Sequence, residues 1–255
     1  MSKNFELMQQ VGLESSTQSA ASAPRKMAFA PSPINGNGDR NGAKLNLDEL
    51  AQEETLKLVQ RVFFVQSGVA PRVVLFAGID KGNGCSRICV RAAEVLAANT
   101  PGRVCLVDAN LRSPSLPEFF GVTNHHGLTD ALLQDGPILS FAKQVRTNLW
   151  LLSCGALASD SANLLNSERL KTRIDELRKE FDYVLIDAPP LSQYADAIAL
   201  GRMTDGLVFV LEANSTRREA AIQVMESLRA GQVPVLGAVL NKRTYPIPES
   251  LYHRL

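Results

Sequence analysis

The stretch Gly78-Ile79-Asp80-Lys81-Gly82-Asn83-Gly84-Cys85-Ser86 follows an apolar run and leads straight into a helical pattern. Glycines at this density let a loop fold so that backbone N–H groups converge on an anion. The helix N-terminus behind it adds partial positive charge. A phosphate-binding loop proper ends in Gly-Lys-[Ser/Thr], where the lysine neutralises the β/γ-phosphates and the hydroxyl holds Mg²⁺. Here Gly84 and Ser86 stand in place, but Cys85 occupies the lysine position. A thiol supplies no such charge. Lys81, on the other side of the loop, is a candidate substitute cation, a hypothesis that unchanged nucleotide affinity in Lys81→Ala would count against. Taken alone, the loop could also be a glycine-rich turn that binds nothing.

Two aspartates close later apolar runs, in Val107-Asp108-Ala109-Asn110 and Ile186-Asp187-Ala188-Pro189-Pro190. A buried strand that delivers one Asp at its C-terminal end puts a carboxylate beside bound phosphates. There it can hold a magnesium water or take a proton from an acceptor hydroxyl. One such Asp could simply cap the next helix. Two of them, together with a glycine loop, favour a site with Ser86, Asp108 and Asp187 around Mg²⁺.

These residues need elements to carry them. Apolar runs at 72–77, 103–108, 148–154, 182–187, 206–212 and 235–241 predict strands. Helical patterns are expected from Asn46 or Asp48 to about Val65, after Ser86, at 167–181, near 196–203 and at 216–230. Continuous apolar strands separated by helices predict an α/β fold, a mainly parallel sheet with helices on both faces. Ligands in such sheets sit beyond the C-terminal strand ends, where the glycine loop and both aspartates fall. Residues 1–45, rich in Ser, Ala, Asn, Gly and Pro, are expected to be a disordered tail. The domain is expected at 46–242 and a short tail at 243–255.

Composition narrows the function. A net charge of +1 argues against broad nucleic-acid binding. The four cysteines have no paired CxxC spacing and suit reduced thiols in a cytosolic protein. No run approaches the roughly 18 apolar residues of a membrane helix, and no secretion signal is legible at the N-terminus. Attachment to a membrane would therefore fall to a partner. His125 and His126 lie in a polar loop without acid or Cys at ligand spacing, which suits a surface. Cys85 reads first as a simple substitution; a redox-sensitive thiol, its pKa lowered by the helix N-terminus, is the minor alternative.

The blocks GIDKGNGCS, VDANLRSPSLPEFFG, GLTDALL, NLLNSERLKTRIDELRKEFDYVLIDAPP and DAIALGRMTDGLVFVLEANSTRREA resemble successive blocks of the bacterial tyrosine kinases of capsule and exopolysaccharide synthesis. That family shares its deviant P-loop class with chromosome-partition ATPases. The resemblance covers about Glu53 to Lys242 and keeps order and spacing. It implies that Gly78, Lys81, Gly82, Gly84, Cys85 and Ser86 line an ATP-phosphate loop and that Asp108 is the candidate base. It also implies that Asp187 is the Walker B aspartate, with Mg²⁺ shared among Ser86, Asp108 and Asp187. Asn241 falls where related proteins contact the nucleotide base.

The departures are as informative. Cys85 replaces the phosphate lysine and Asn110 a carboxylate. The family's Glu-x-x-Arg-x-x-Arg self-association motif is reduced at 54–60 to Glu54 and Lys57. The tyrosine-rich tail is reduced to Tyr245 and Tyr252. The resemblance therefore implies an impaired kinase, with ATP and Mg²⁺ binding weakened or lost. Such a protein would serve as a regulatory or scaffold subunit on the cytoplasmic part of a membrane polysaccharide chain-length or export protein, peripheral at the inner membrane, with self-association retained or lost. The alternatives are an active ATP-dependent tyrosine kinase, using Lys81 or a partner's cation, and a partition-type ATPase switch.

Overall fold

The structure, a computed structural model, describes residues 47–243 apart from 66–67, 157–163 and 166. The expected tail at 1–45, and all but Arg243 of the one expected at 243–255, lie outside the described residues. The elements in chain order are α1 (Leu47–Phe63), β1 (Val73–Gly78), α2 (Cys85–Asn99), β2 (Val104–Asp108), α3 (Leu116–Phe120) and α4 (Leu128–Leu133). A 3-10 turn (Ile138–Phe141) leads to β3 (Lys143–Arg146) and β4 (Leu149–Leu152). The chain continues through α5 (Glu168–Glu180), β5 (Tyr183–Ala188), α6 (Asp196–Gly201), β6 (Gly206–Glu212), α7 (Arg218–Ala230) and β7 (Val235–Asn241).

The strands form one seven-stranded sheet in the order β3-β4-β2-β5-β1-β6-β7. Only the β3–β4 pairing is antiparallel. Every residue of β1 and β2 is buried, as expected of strands covered on both faces. Alternate side chains divide the core. Val73, Leu75 and Ala77 pack with α4, α5, α6 and α7, whereas Val74 and Phe76 pack with α1 and α2. Helices thus cover both faces, as the sequence predicts.

β3 is absent from the predicted strands. Its sequence, KQVR, holds one apolar residue, and it is one of the sheet's two edges, largely exposed. Charged, short edge strands resist pairing with other chains, and the same polarity hides them from a search for apolar runs.

α5 shows how the helices are fixed. Ser167 caps it by accepting from the Leu170 N–H, while Leu170, Ile174 and Leu177 are buried at helical spacing. Buried Arg173 donates to the carbonyls of Ala131, Gln134 and Gly136, tying α5 to the end of α4.

Strand order does what sequence order cannot. β5 lies between β1 and β2, so their C-terminal ends stand side by side. Phe76 pairs with Asp187, and Asp187 with Asp108.

Candidate functional site

The loop from β1 to α2 is tied down by residues on β6, at the end of β7 and after β5. Gly82 and Gly84 have φ of 86° and 85°, a left-handed geometry that glycine adopts without strain. Five residues separate Gly78 from Gly84, whereas a standard phosphate loop has four. Gly78 also has a packing reason to be glycine. A side chain there would collide with buried Asn83, whose Nδ2 donates to Val210 O at 2.8 Å. Asn241 Nδ2 donates to Asn83 O at 2.8 Å and lies where a Gly84 side chain would have to go.

The segment after β5 clamps the start of the loop. Leu191 N and Ser192 N donate to the carbonyls of Gly78 and Ile79, and Ser192 Oγ donates to Asp80 Oδ1 at 2.9 Å. The first turn of α2 carries no acidic residue and no side-chain cap. Its N–H groups are therefore disposed toward an anion.

Asp187 faces this loop with no exposed surface, and neither carboxylate oxygen has a partner in good hydrogen-bond geometry, although the Ser86 hydroxyl and the Cys85 thiol lie close enough to act on its pKa. Burial is the main cause that raises its pKa to about 7. The neighbouring charge of Asp108 raises it further, while Ser86 and Cys85 lower it. A buried carboxylate with both oxygens unmatched is costly unless something completes it.

Asp108 is equally buried but well satisfied. It accepts from Ser115 N at 3.1 Å, Leu116 N at 3.0 Å and Asn110 N at 3.3 Å. Burial still lifts its pKa to about 6, against these three donors. It occupies the expected place beside Asp187 and also caps the start of α3. Asn110 turns its Oδ1 to Ser113 N. Arg112 pairs with Asp196 at 3.2 Å and lies 4.1 Å over the Tyr194 ring.

Cys85 corrects one expectation. Its thiol is buried, and burial, followed by the charge of Asp187, pushes its pKa well above the usual range. Desolvation beside a carboxylate outweighs the helix N-terminus. The group at the lysine position is thus a neutral thiol. Lys81 is exposed.

Two unmatched carboxylate oxygens on Asp187 and the hydroxyl of Ser86 form a hard-oxygen donor set suited to Mg²⁺. The glycine loop suits phosphate. The residues fit a magnesium–phosphate group except for the cation missing at position 85. Sequence reasoning passed over Asn83, Ser192 and Lys242. The first lay inside the quoted loop, but its side-chain partner lies on β6.

The fold and site define a P-loop α/β protein of the deviant kind. No protein-family model matches the chain. It is 31% identical to the tyrosine-protein kinase YwqD of Bacillus subtilis (strain 168) over 169 residues, 66% of this chain and 71% of that one. It is 31% identical over 180 residues to the succinoglycan biosynthesis transport protein ExoP of Rhizobium meliloti (strain 1021), covering 69% of this chain but 23% of ExoP. Its structure resembles the kinase domain of the Escherichia coli tyrosine kinase ETK, with a TM-score of 0.72 at 21% identity over 85% of this chain and 88% of that one. A ParA family ATPase from Chlorobium tepidum TLS shares the fold, with a TM-score of 0.59 at 21% identity over 67% of this chain and 74% of that one. The chain belongs to the bacterial tyrosine-protein kinase family.

Proposed function

We propose that this protein is a kinase-like subunit of exopolysaccharide or capsule synthesis, impaired in phosphoryl transfer and acting as a regulatory or scaffold component. The observation that carries this reading is the buried, neutral Cys85 thiol at the lysine position, beside an Asp187 whose oxygens have no partner in good hydrogen-bond geometry. Phosphoryl transfer depends almost wholly on positioning and charge stabilisation. Losing one preorganised electrostatic group typically costs on the order of 100- to 1000-fold in rate.

The chemistry a bound magnesium would supply is neutralisation of phosphate charge. Gly82, Gly84 and the first turn of α2 would receive the phosphates, with Ser86 and Asp187 toward the metal. Asp108 stands where a base would take a proton from an acceptor hydroxyl. Its neighbour Asn110 offers an amide where the family has a carboxylate.

The names of the relatives support the setting. ExoP is named for succinoglycan biosynthesis and transport. Among the described residues no helix is long and apolar enough to cross a membrane. Docking on the cytoplasmic part of a membrane chain-length or export protein would bring this chain to the inner membrane. The test is a Mg-ATP titration followed by a tyrosine-phosphorylation assay on the full chain. Measurable ATP binding with negligible transfer is the expected result. Brisk transfer to tyrosine that Asp108→Asn abolishes would overturn the reading.

A further inference from the structure

The phosphate loop lacks its lysine, but a different ammonium is bonded to it. Lys242, just beyond β7, donates from Nζ to Gly82 O at 2.8 Å and pairs with Glu212 Oε2 at 3.2 Å. Lys242 has φ of 55°, a conformation that a residue with a side chain adopts only when its surroundings hold it there. Its neighbour Asn241 donates to the next carbonyl of the same loop, Asn83 O.

The two bonds fall on consecutive peptide units. The Gly82 carbonyl shares its peptide with the Asn83 N–H, and the Asn83 carbonyl shares its peptide with the Gly84 N–H. In a trans peptide the carbonyl and N–H point in opposite directions. Donors that hold both carbonyls from outside therefore turn both N–H groups inward. A charged donor on a carbonyl also polarises the peptide and strengthens the N–H at its far end. Among the described residues, neither N–H donates to a backbone carbonyl outside the helices and strands.

We propose that Lys242 is the positioning cation of this loop, acting through the Gly82 carbonyl in place of the charge that Cys85 cannot supply. The ligand is the phosphate chain of a nucleotide, so the inference rests on the nucleotide-binding reading above. Glu212 offsets part of the charge of Lys242 and thereby limits the affinity.

Calorimetric titration of the full chain with Mg-ATP tests it. Lys242→Met should weaken binding by about tenfold or more, the scale of one charge-assisted interaction, while Lys242→Arg stays within about threefold of wild type. In a Cys85→Lys background, with the ordinary lysine restored, the same Lys242→Met change should cost less than about threefold. A purely structural brace would cost the same in both backgrounds, and that result overturns the proposal. Wild-type affinity in Lys242→Met overturns it too, as does a loss that follows Lys81→Met instead.

Glu212→Gln leaves the loop untouched and frees the ammonium, so it should tighten binding several-fold. Unchanged or weaker binding counts against the proposal. If Cys85→Lys binds ATP and wild type does not, the Lys242 inference falls while the loop's identity stands. If neither binds, both fall.

Discussion

Asp108 and Asp187 occupy the same register position on adjacent parallel strands, β2 and β5, and neither has exposed surface. Neighbouring strands lie about 4.8 Å apart, so two carboxylates here repel if both are ionised. One is held by three backbone N–H groups and the other by none. The pair is built asymmetrically, with one member anchored and the other waiting for a partner.

The asymmetry has a consequence for stability. Asp187 has an ordinary pKa of 3.8 and a folded-state value of about 7. Between those values the folded chain holds a proton that the unfolded chain has released, so stability falls as pH rises through this window. Above it the full penalty remains. Asp187→Asn should therefore raise the melting temperature by several degrees at pH 8 and progressively less as pH approaches 4. Thermal unfolding of both proteins across this range checks it. An equal melting temperature at pH 8 would show that the buried charge costs nothing.

Thiol accessibility offers an independent check on Cys85. All four cysteines are buried and free, and those at 85, 89, 105 and 154 have thiol pKa values pushed up chiefly by burial. A charged disulfide reagent at pH 8 should label essentially none of them within minutes in the native protein, and all of them in denaturant. Rapid labelling of Cys85 alone, located by mass spectrometry, would mean that its thiol is exposed and ionisable.

The contact between Gly78 and Asn83 gives a coupling that can be measured. Gly78→Ala forces the Asn83 amide away from Val210 O. Separating a buried amide from its partner costs about 1–3 kcal/mol. In an Asn83→Ala background the collision disappears, so adding Gly78→Ala should cost much less. Chemical unfolding of the two single variants and the double variant reads the coupling. Additive losses would mean that glycine is required at 78 for some other reason.

Much of this was legible because the signals were local. The runs VVLFAG and VCLV are apolar and give β1 and β2, and the acidic residues at the C-terminal ends of two such runs give Asp108 and Asp187. β3 was illegible because KQVR packs little and pairs only at an edge. The order β2-β5-β1, which puts Asp187 between the loop and Asp108, is a property of sheet pairing that no local pattern encodes. Asn83 and Lys242 were missed for a related reason: each acts through one hydrogen bond to a residue more than 120 positions away. A lowered pKa is conceivable for Cys85 from the sequence because the helix end is legible there, whereas burial beside Asp187 is not.

The double service of Asp108 decides how its chemistry can be tested. Its Oδ2 accepts from Ser115 N and Leu116 N, and its Oδ1 from Asn110 N at the longer distance of 3.3 Å. Alanine removes the acceptor and leaves donors at the start of α3 unmatched, so loss of activity in Asp108→Ala would mix a fallen cap with a missing base. Asparagine keeps one oxygen for Ser115 and Leu116 and gives up only the weakest bond. Neither replacement is charged, so the difference between them isolates the cap at any pH. Asp108→Ala should be less stable than Asp108→Asn by about 1–3 kcal/mol in denaturant unfolding. At pH 8 Asp108→Asn should be at least as stable as wild type, because it removes a buried carboxylate whose pKa has been lifted to about 6. Equal stability of the two variants would mean that the N–H groups of α3 find other partners, and that Asp108 is retained for its charge alone.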